Sequence, residues 1–314
     1  MKYSDFGLVN TKKMFKNAIV GHYAIPAFNF YNMETLGAIL TAARKTQSPV
    51  ILAASESAIK YMGDDMLLGL IASACIGPRE QIAMHLDHGH SIDACIHAIE
   101  LGFSSVMIDA SNLPFDENIK LSREVAKYAH RRNVSVEAEL GTLSGTEDTS
   151  TKSDYSSYTN PNDAIEFVKR TGVDSLAISI GTAHGAYKCK NDNGSLQFDI
   201  LKQIAKLLPN FPLVLHGASS IPQQYVDTIN QNGGRLRGAH GIDIAQLKRA
   251  AKTNICKINV DSDLRLGFTA GVRETLKANP SGFNPRDYLA TAVKNMTDIC
   301  VNEITHIMGS KNKI

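Results

Sequence analysis

"QIAMHLDHGH", residues 81–90, runs an apolar stretch into two ionisable side chains, Asp87 and His88, and breaks at Gly89 before a further histidine. An apolar run that stops at a glycine reads as a buried strand giving way to a loop. A hydrogen-bonded polar cluster at a sheet end would account for the Asp87–His88 pair. So would a metal ligand, a proton carrier, or one of each. Recurrence of the pattern decides how much weight the pair carries.

Similar runs recur along the whole chain. They begin near Ala24 (AIPAFNF), Val50 (VILAAS), Ile82 (IAMHLD), Ser104 (SSVMID), Val134 (VSVEAEL), Ser175 (SLAISIG), Pro212 (PLVLHG) and Ile255 (ICKINV). Their starts lie on average about 33 residues apart, the size of one strand–helix unit. Between them lie segments of helical period. In "DENIKLSREVAKYAHRRN", Ile119, Val125, Ala126 and Ala129 approximate one face, and Asp116 is placed to cap the helix. Asn160 before Pro161 is placed to cap the next one. Eight such units predict an α/β fold, a single (β/α)8 TIM barrel with additional C-terminal helices. The competing doubly wound sheet is disfavoured, because nothing like GxGxxG follows the first run. At 314 residues and 43% hydrophobic, the chain is expected to form one domain over 1–314, with a helical segment at about 263–308.

Polar groups collect at the ends of these runs: Asn29, Ser55, Asp87 with His88, Asp109, Glu139, His184, His216 and Asn259. In a barrel, the C-terminal strand ends meet at one face however far apart they lie in sequence. One or two such residues would be ordinary caps; eight in one register are a site. Of the ten histidines, His22, His97, His130, His240 and His306 fall in loop or helix contexts and read as surface or satisfied residues. His85 alternates with Asp87 and reads as barrel filling, and His90 reads as a loop residue. His88, His184 and His216 stand at strand ends, the last two in the same tripeptide, His-Gly-Ala. Three histidines with an open fourth position suit a catalytic zinc ion. The loops after the seventh and eighth runs, "HGASS" and "NVDSD", offer hydroxyls and backbone N–H groups for phosphate, and Lys188 could add a charge.

Composition closes off other classes. A net charge of +2 with no polybasic run points away from nucleic acid. The polar N-terminus is no signal peptide, no run is long enough to span a membrane, and the expected location is the cytoplasm. Five cysteines (75, 95, 189, 256 and 300), without CxxC spacing, read as reduced thiols.

In order along the chain, "HLDHG", "SVMIDAS", "SVEAELG", "GTAHGAYK", "LVLHGASS" and "INVDSDLR" resemble the class II, metal-dependent fructose-1,6-bisphosphate aldolases. The resemblance runs from about Tyr23 through "NPRDYL" to the closing "GSKNKI". It implies a homodimeric zinc enzyme of glycolysis and gluconeogenesis that reversibly cleaves fructose 1,6-bisphosphate to dihydroxyacetone phosphate and glyceraldehyde 3-phosphate. Carried over residue by residue, it makes His88, His184 and His216 the ligands of one catalytic Zn2+. Asp87 becomes the acid/base at the C4 hydroxyl, and Glu147, in "GTLSGTEDTS", the carrier of the C3 proton on a mobile loop. Asp109 and Glu139 match a second metal position of some relatives. Thr146 stands where some members have a further acidic ligand, so these two residues serve either as ligands or as partners of the ligands. Gly185, Lys188, Gly217, Ala218, Ser219, Asn259, Val260, Asp261 and Ser262 match the substrate pocket, on its dihydroxyacetone phosphate side. Ser55 and Arg265 match the other phosphate, and Arg286 matches an arginine contributed across the dimer. A monovalent cation is a further candidate cofactor.

The chemistry fits these residue types, since a metal would hold charge left by C3–C4 cleavage while an adjacent base takes the C4 proton. Three rival readings remain at this level. Lys257 alternates with Asn259 and Asp261, faces inward, and could form a Schiff base. A metal-dependent hydrolase would need a hydroxide-generating site and commonly an HxH pair on the first strand, which "AIPAFNF" lacks. A sugar-phosphate-binding protein without catalysis is the third. The alternative substrate is tagatose 1,6-bisphosphate, whose aldolases resemble this chain but typically read "HLDHH" and "NVATEL" where it has "HLDHG" and "NVDSDLR".

Overall fold

Each of the eight apolar runs becomes a strand in the computed structural model of the chain, which describes residues 2–74, 81–143, 145, 157–187 and 195–314. The strands are β1 (Ile25–Asn29), β2 (Val50–Ser55), β3 (Ile82–Gly89), β4 (Ser105–Ile108), β5 (Ser135–Leu140), β6 (Ser175–Ile178), β7 (Leu213–Leu215) and β8 (Ile255–Val260). Neighbours pair in parallel in sequence order, and β8 pairs with β1 to close the barrel. A closed parallel sheet is covered by helices outside and filled by side chains inside, so its strands are buried on both faces. This is why the runs read as near-continuous apolar stretches rather than a clean alternation.

The intervening helices bury the faces their periodicity indicates. In the helix Phe115–His130, Ile119, Val125, Ala126 and Ala129 are all buried. Asp116 does not cap it. Pro114 holds the N-cap position, and Asp116 lies in the first turn, its carboxylate 2.7 Å from Arg170 Nη2. The fixed φ of proline favours starting the helix two residues earlier, and an acidic side chain in the first turn still faces the positive end of the helix dipole. Asn160 does cap the helix Pro161–Thr171, accepting from the N–H groups of Asn162 and Asp163.

After β8 come the helices Ser262–Ala278 and Pro285–Asn302. They approach closely at Gly271, where a Cβ would lie 2.6 Å from the Ala292 nitrogen. A π-helical turn, Glu303–Met308, follows, and the Met308 carbonyl accepts from Ala24 N–H at 3.0 Å, tying the C-terminal segment to the start of β1. Cys95, Cys256 and Cys300 are buried free thiols, while Cys75 and Cys189 lie outside the described residues. No helix among the described residues is long and apolar enough to cross a membrane.

Candidate active site

Successive side chains of a regular strand point to opposite faces, so Asp87 and His88 could not both reach the barrel mouth from an unbroken β3. The pairing of β3 with β4 shifts register between Leu86 and Gly89. Within that irregularity His88 adopts φ +49°, a left-handed conformation that costs a non-glycine residue roughly 1 to 3 kcal/mol. Gly89 completes the bend, since a Cβ there would sit 2.8 Å from the Met107 carbonyl oxygen. The distortion turns both side chains toward His216: His88 Nε2 lies 2.9 Å from His216 Nδ1, and Asp87 Oδ1 lies 3.9 Å from it.

His184 follows β6 in a loop, and His216 directly follows β7. The ring centroids of His88 and His216 are 4.5 Å apart, those of His88 and His184 5.1 Å, and those of His184 and His216 6.4 Å. The repeated His-Gly-Ala has a backbone reason. Gly185 and Gly217 have φ of +82° and +60°, and a Cβ on Gly217 would come within 2.7 Å of the Ala183 carbonyl. The two histidine loops therefore pack backbone against backbone, which only glycine permits.

Proton accounting around these rings identifies what the site needs. His88 Nδ1 is 2.8 Å from Asp109 Oδ2, and His216 Nε2 is 2.7 Å from Glu137 Oε1. Burial pushes the Asp109 carboxyl up, but the His88 hydrogen bond and charge and the Ser111 hydrogen bonds outweigh it and hold the group well below the usual carboxylate range. Glu137 is ion-paired with Lys257 at 2.9 Å. Ionised carboxylates only accept, so both outer nitrogens carry N–H. With both rings neutral, the inner nitrogens face each other as lone pairs across 2.9 Å, whereas a second proton on either ring would make this contact an N–H···N hydrogen bond. Burial first, then Lys257 and His88, lower the His216 pKa well below that of ordinary histidine, which opposes placing a proton there. A divalent cation between the lone pairs satisfies both rings, and imidazole with carboxylate is a donor set that zinc and its neighbours accept. The ligand atoms of Asp87, His88 and His216 lie within 4.8 Å of one another, as do those of His88, Asp109 and Glu139.

Asp87 is clamped from both sides. Asn29 Nδ2 donates to Oδ2 at 2.7 Å and Asn259 Nδ2 donates to Oδ1 at 2.8 Å. Burial pushes its carboxyl up, but His88, His216, Lys257 and the Asn29 amide bring it down to about 2. The Oδ1 atoms of both asparagines are buried without a hydrogen-bond partner among the described residues. They are acceptors waiting for a donor such as a sugar hydroxyl. Asn29 was legible only as a strand-end polar residue; its hold on Asp87 depends on β1 and β3 converging.

A cavity of about 420 Å³ opens beside the histidines and is lined by Asn29, His184, Gly185, His216, Gly217, Ala218, Ser219, Asn259, Asp261, Ser262 and Arg265, among others. Arg265 grips Asp261 with two nitrogens, Nε to Oδ1 and Nη2 to Oδ2, each at 2.9 Å. Val260 is buried within β8 and is not among the lining residues. Ser55 caps the helix Glu56–Met62, accepting from Ala58 N–H, and its hydroxyl also meets that of Ser57; it too is absent from the lining. Arg286 lies exposed at the start of the helix Pro285–Asn302, and the chain does not bring it to the cavity. Glu147 and Lys188 lie outside the described residues.

The inward direction expected for Lys257 is met, but its amine is not available as a nucleophile. It is fully buried and donates to both Glu137 oxygens at 2.9 and 3.0 Å. A Schiff-base lysine must be reachable by substrate, and this one is buried against a carboxylate.

Comparison with known proteins covers nearly the whole chain. The family model described as "Fructose-bisphosphate aldolase class-II" matches residues 9–313. A fructose-bisphosphate aldolase of Treponema pallidum is 46% identical, covering 99% of both chains. One from Giardia intestinalis is 43% identical over 95% of this chain and 92% of its own. The crystal structure of a fructose-bisphosphate aldolase from Campylobacter jejuni superposes with a TM-score of 0.75 at 25% identity, covering 100% of each chain.

Proposed function

The chain belongs to the class II fructose-bisphosphate aldolase family, and from that premise we propose how its strand-end residues divide the work. The reaction is a carbon–carbon lyase step, the reversible aldol cleavage of D-fructose 1,6-bisphosphate to dihydroxyacetone phosphate and D-glyceraldehyde 3-phosphate. The class is metal-dependent, and here we assign one zinc ion to His88, His184 and His216. The observation that carries this reading is the convergence of two inward ring nitrogens, His88 Nε2 and His216 Nδ1, 2.9 Å apart. When bound, zinc would supply Lewis-acid stabilisation of the negative charge left on the dihydroxyacetone phosphate fragment, which keeps the electron pair of the C3–C4 bond.

Asp87 takes the C4-hydroxyl proton in cleavage and returns it in condensation. Its two amide clamps aim the carboxylate without competing for its proton, since both are donors. Glu147, outside the described residues, is assigned removal of the C3 proton in the bond-forming direction. Asp109 orients the His88 ring, and with Glu139 offers a second metal position. Gly185, Gly217, Ala218, Ser219, Asn259, Asp261 and Ser262, all on the cavity wall, cradle the dihydroxyacetone phosphate half, where small residues let backbone N–H groups approach the phosphate; Val260 lies behind that wall, and Lys188, the remaining candidate, is outside the described residues. Arg265, steadied by Asp261, receives the other phosphate, with Ser55, which lies off the cavity wall, as its second candidate partner and Arg286 supplied by a second copy of the chain.

The deciding experiment is a coupled assay on fructose 1,6-bisphosphate before and after chelation. Activity should vanish with the metal and return on adding Zn2+. Full turnover by a demonstrably metal-free preparation would sink the reading.

A further inference from the structure

Directly beneath the site lies a second polar layer. His85, Glu137 and Lys257 each stand two residues before a site residue on the same strand: Asp87 on β3, Glu139 on β5 and Asn259 on β8. Their exposures are 1%, 1% and 0%. Barrel interiors are normally filled by branched apolar side chains, and an apolar filling would avoid the desolvation cost of buried charge. The cluster is fully paired instead. Lys257 Nζ donates to Glu137 Oε1 and Oε2 at 2.9 and 3.0 Å and lies 3.3 Å from His85 Nε2. His85 Nδ1 is in turn 2.8 Å from Ser105 Oγ. Toward the cavity the network continues through Glu137 Oε1, 2.7 Å from His216 Nε2.

We infer that Glu137 is the positioning residue for His216. Its carboxylate accepts the Nε2 proton and so commits the imidazole to the tautomer whose Nδ1 lone pair faces His88. The Lys257 ammonium, held on both carboxylate oxygens, fixes where that acceptor stands. Without the acceptor, the ring is free to carry its proton on Nδ1 and present N–H where a lone pair is needed. This inference rests on the ligand set proposed above. Removal of such a supporting partner typically lowers metal affinity by about 10- to 100-fold.

Two double variants isolate the hydrogen bond from the buried charge. Glu137→Leu/Lys257→Met removes ion pair and acceptor at similar volume, whereas Glu137→Gln/Lys257→Met keeps a carboxamide oxygen that can accept. Zinc affinity is measured by chelator competition, with thermal unfolding to establish that each variant is folded. The leucine variant should bind zinc about 10- to 100-fold more weakly, and the glutamine variant should recover most of the loss. Independently of any variant, the 15N shifts of His216 in zinc-free wild-type protein should report the proton on Nε2. A proton on Nδ1, or a folded leucine variant that binds zinc like wild type, would overturn the assignment. A His216→Ala control separates the two levels. If it loses zinc while the leucine variant does not, the ligand set stands and the role of Glu137 falls. If it too keeps wild-type affinity, the ligand set is wrong and this inference goes with it.

Discussion

At the scale of the residue, Asp87 and His88 divide two tasks between neighbouring positions. The strained φ of His88 and the bulge around it aim both side chains at one point, while Asp109 and the two asparagines hold them there. Asp87→Ala leaves all three histidines intact, so it should retain zinc while cleavage falls by about 10²- to 10⁴-fold, the usual contribution of a positioned base. Metal analysis beside the coupled assay checks both halves, and loss of zinc in this variant would make Asp87 a ligand instead. Substrate choice also resides in single residues. Fructose and tagatose bisphosphates differ only in configuration at C4, and a site that bonds a hydroxyl rejects the wrong epimer through unpaired buried groups. Asp261 offers that acceptor while carrying Arg265 in a two-point grip. Asp261→Ala should therefore narrow the preference for fructose 1,6-bisphosphate and also raise KM, because Arg265 loses its support. Equal kcat/KM for the two sugars in the wild-type protein would contradict the assignment.

At the scale of the element, the loop after β7 is anchored by the helix Ser262–Ala278. Asp263 accepts from Ser220 N–H, Ser220 Oγ and Ile221 N–H at 2.8–3.0 Å, holding Ile221 at φ +51°, an unusual conformation for a β-branched residue. Glu303, in the π-helical turn, is buried nearby. Burial, and then the Asp263 charge, raise its pKa well above the usual glutamate value. The unfolded chain therefore releases this proton at lower pH than the folded one does. Stability from this group is complete below the unfolded pKa and declines as pH rises toward the folded one. Glu303→Gln cannot ionise, so its melting temperature relative to wild type should climb between about pH 5 and about pH 8. A constant difference across that range would show that Glu303 does not carry the linkage.

At the scale of the whole molecule, one proposed substrate contact is missing from the chain's own cavity. Arg286 stands exposed beside Phe283, itself 91% exposed, at the turn between the last two long helices. A large bare aromatic side chain three positions before an exposed arginine suits an interface more than open water. If a second copy delivers Arg286, Arg286→Ala and Asp87→Ala carry lesions in different protomers of one site. Mixing the two inactive variants under conditions of subunit exchange should restore about a quarter to a half of the sites, depending on how subunits redistribute. Demonstrated exchange without recovered activity would put Arg286 outside the site.

The sequence by itself determined the barrel. All eight strands lie within a residue or two of the apolar runs, because burial on both faces writes a strand into the chain as a continuous apolar stretch. It also determined that the polar strand ends gather, since parallel closure brings every C-terminal strand end to one face. The cap went to Pro114 rather than Asp116, because propensity alone does not decide between two candidate caps two positions apart when one of them is proline. Only the tertiary structure decided the rest. The bulge that lets Asp87 and His88 share a target is a property of how β3 pairs with β4, and neither strand carries it alone. The clamp on Asp87 joins β1, β3 and β8, and the ion pair under His216 joins β5 and β8. Hydrogen bonds between residues as far as 172 positions apart depend on the closure of the sheet, which sets angles and distances that no local pattern encodes.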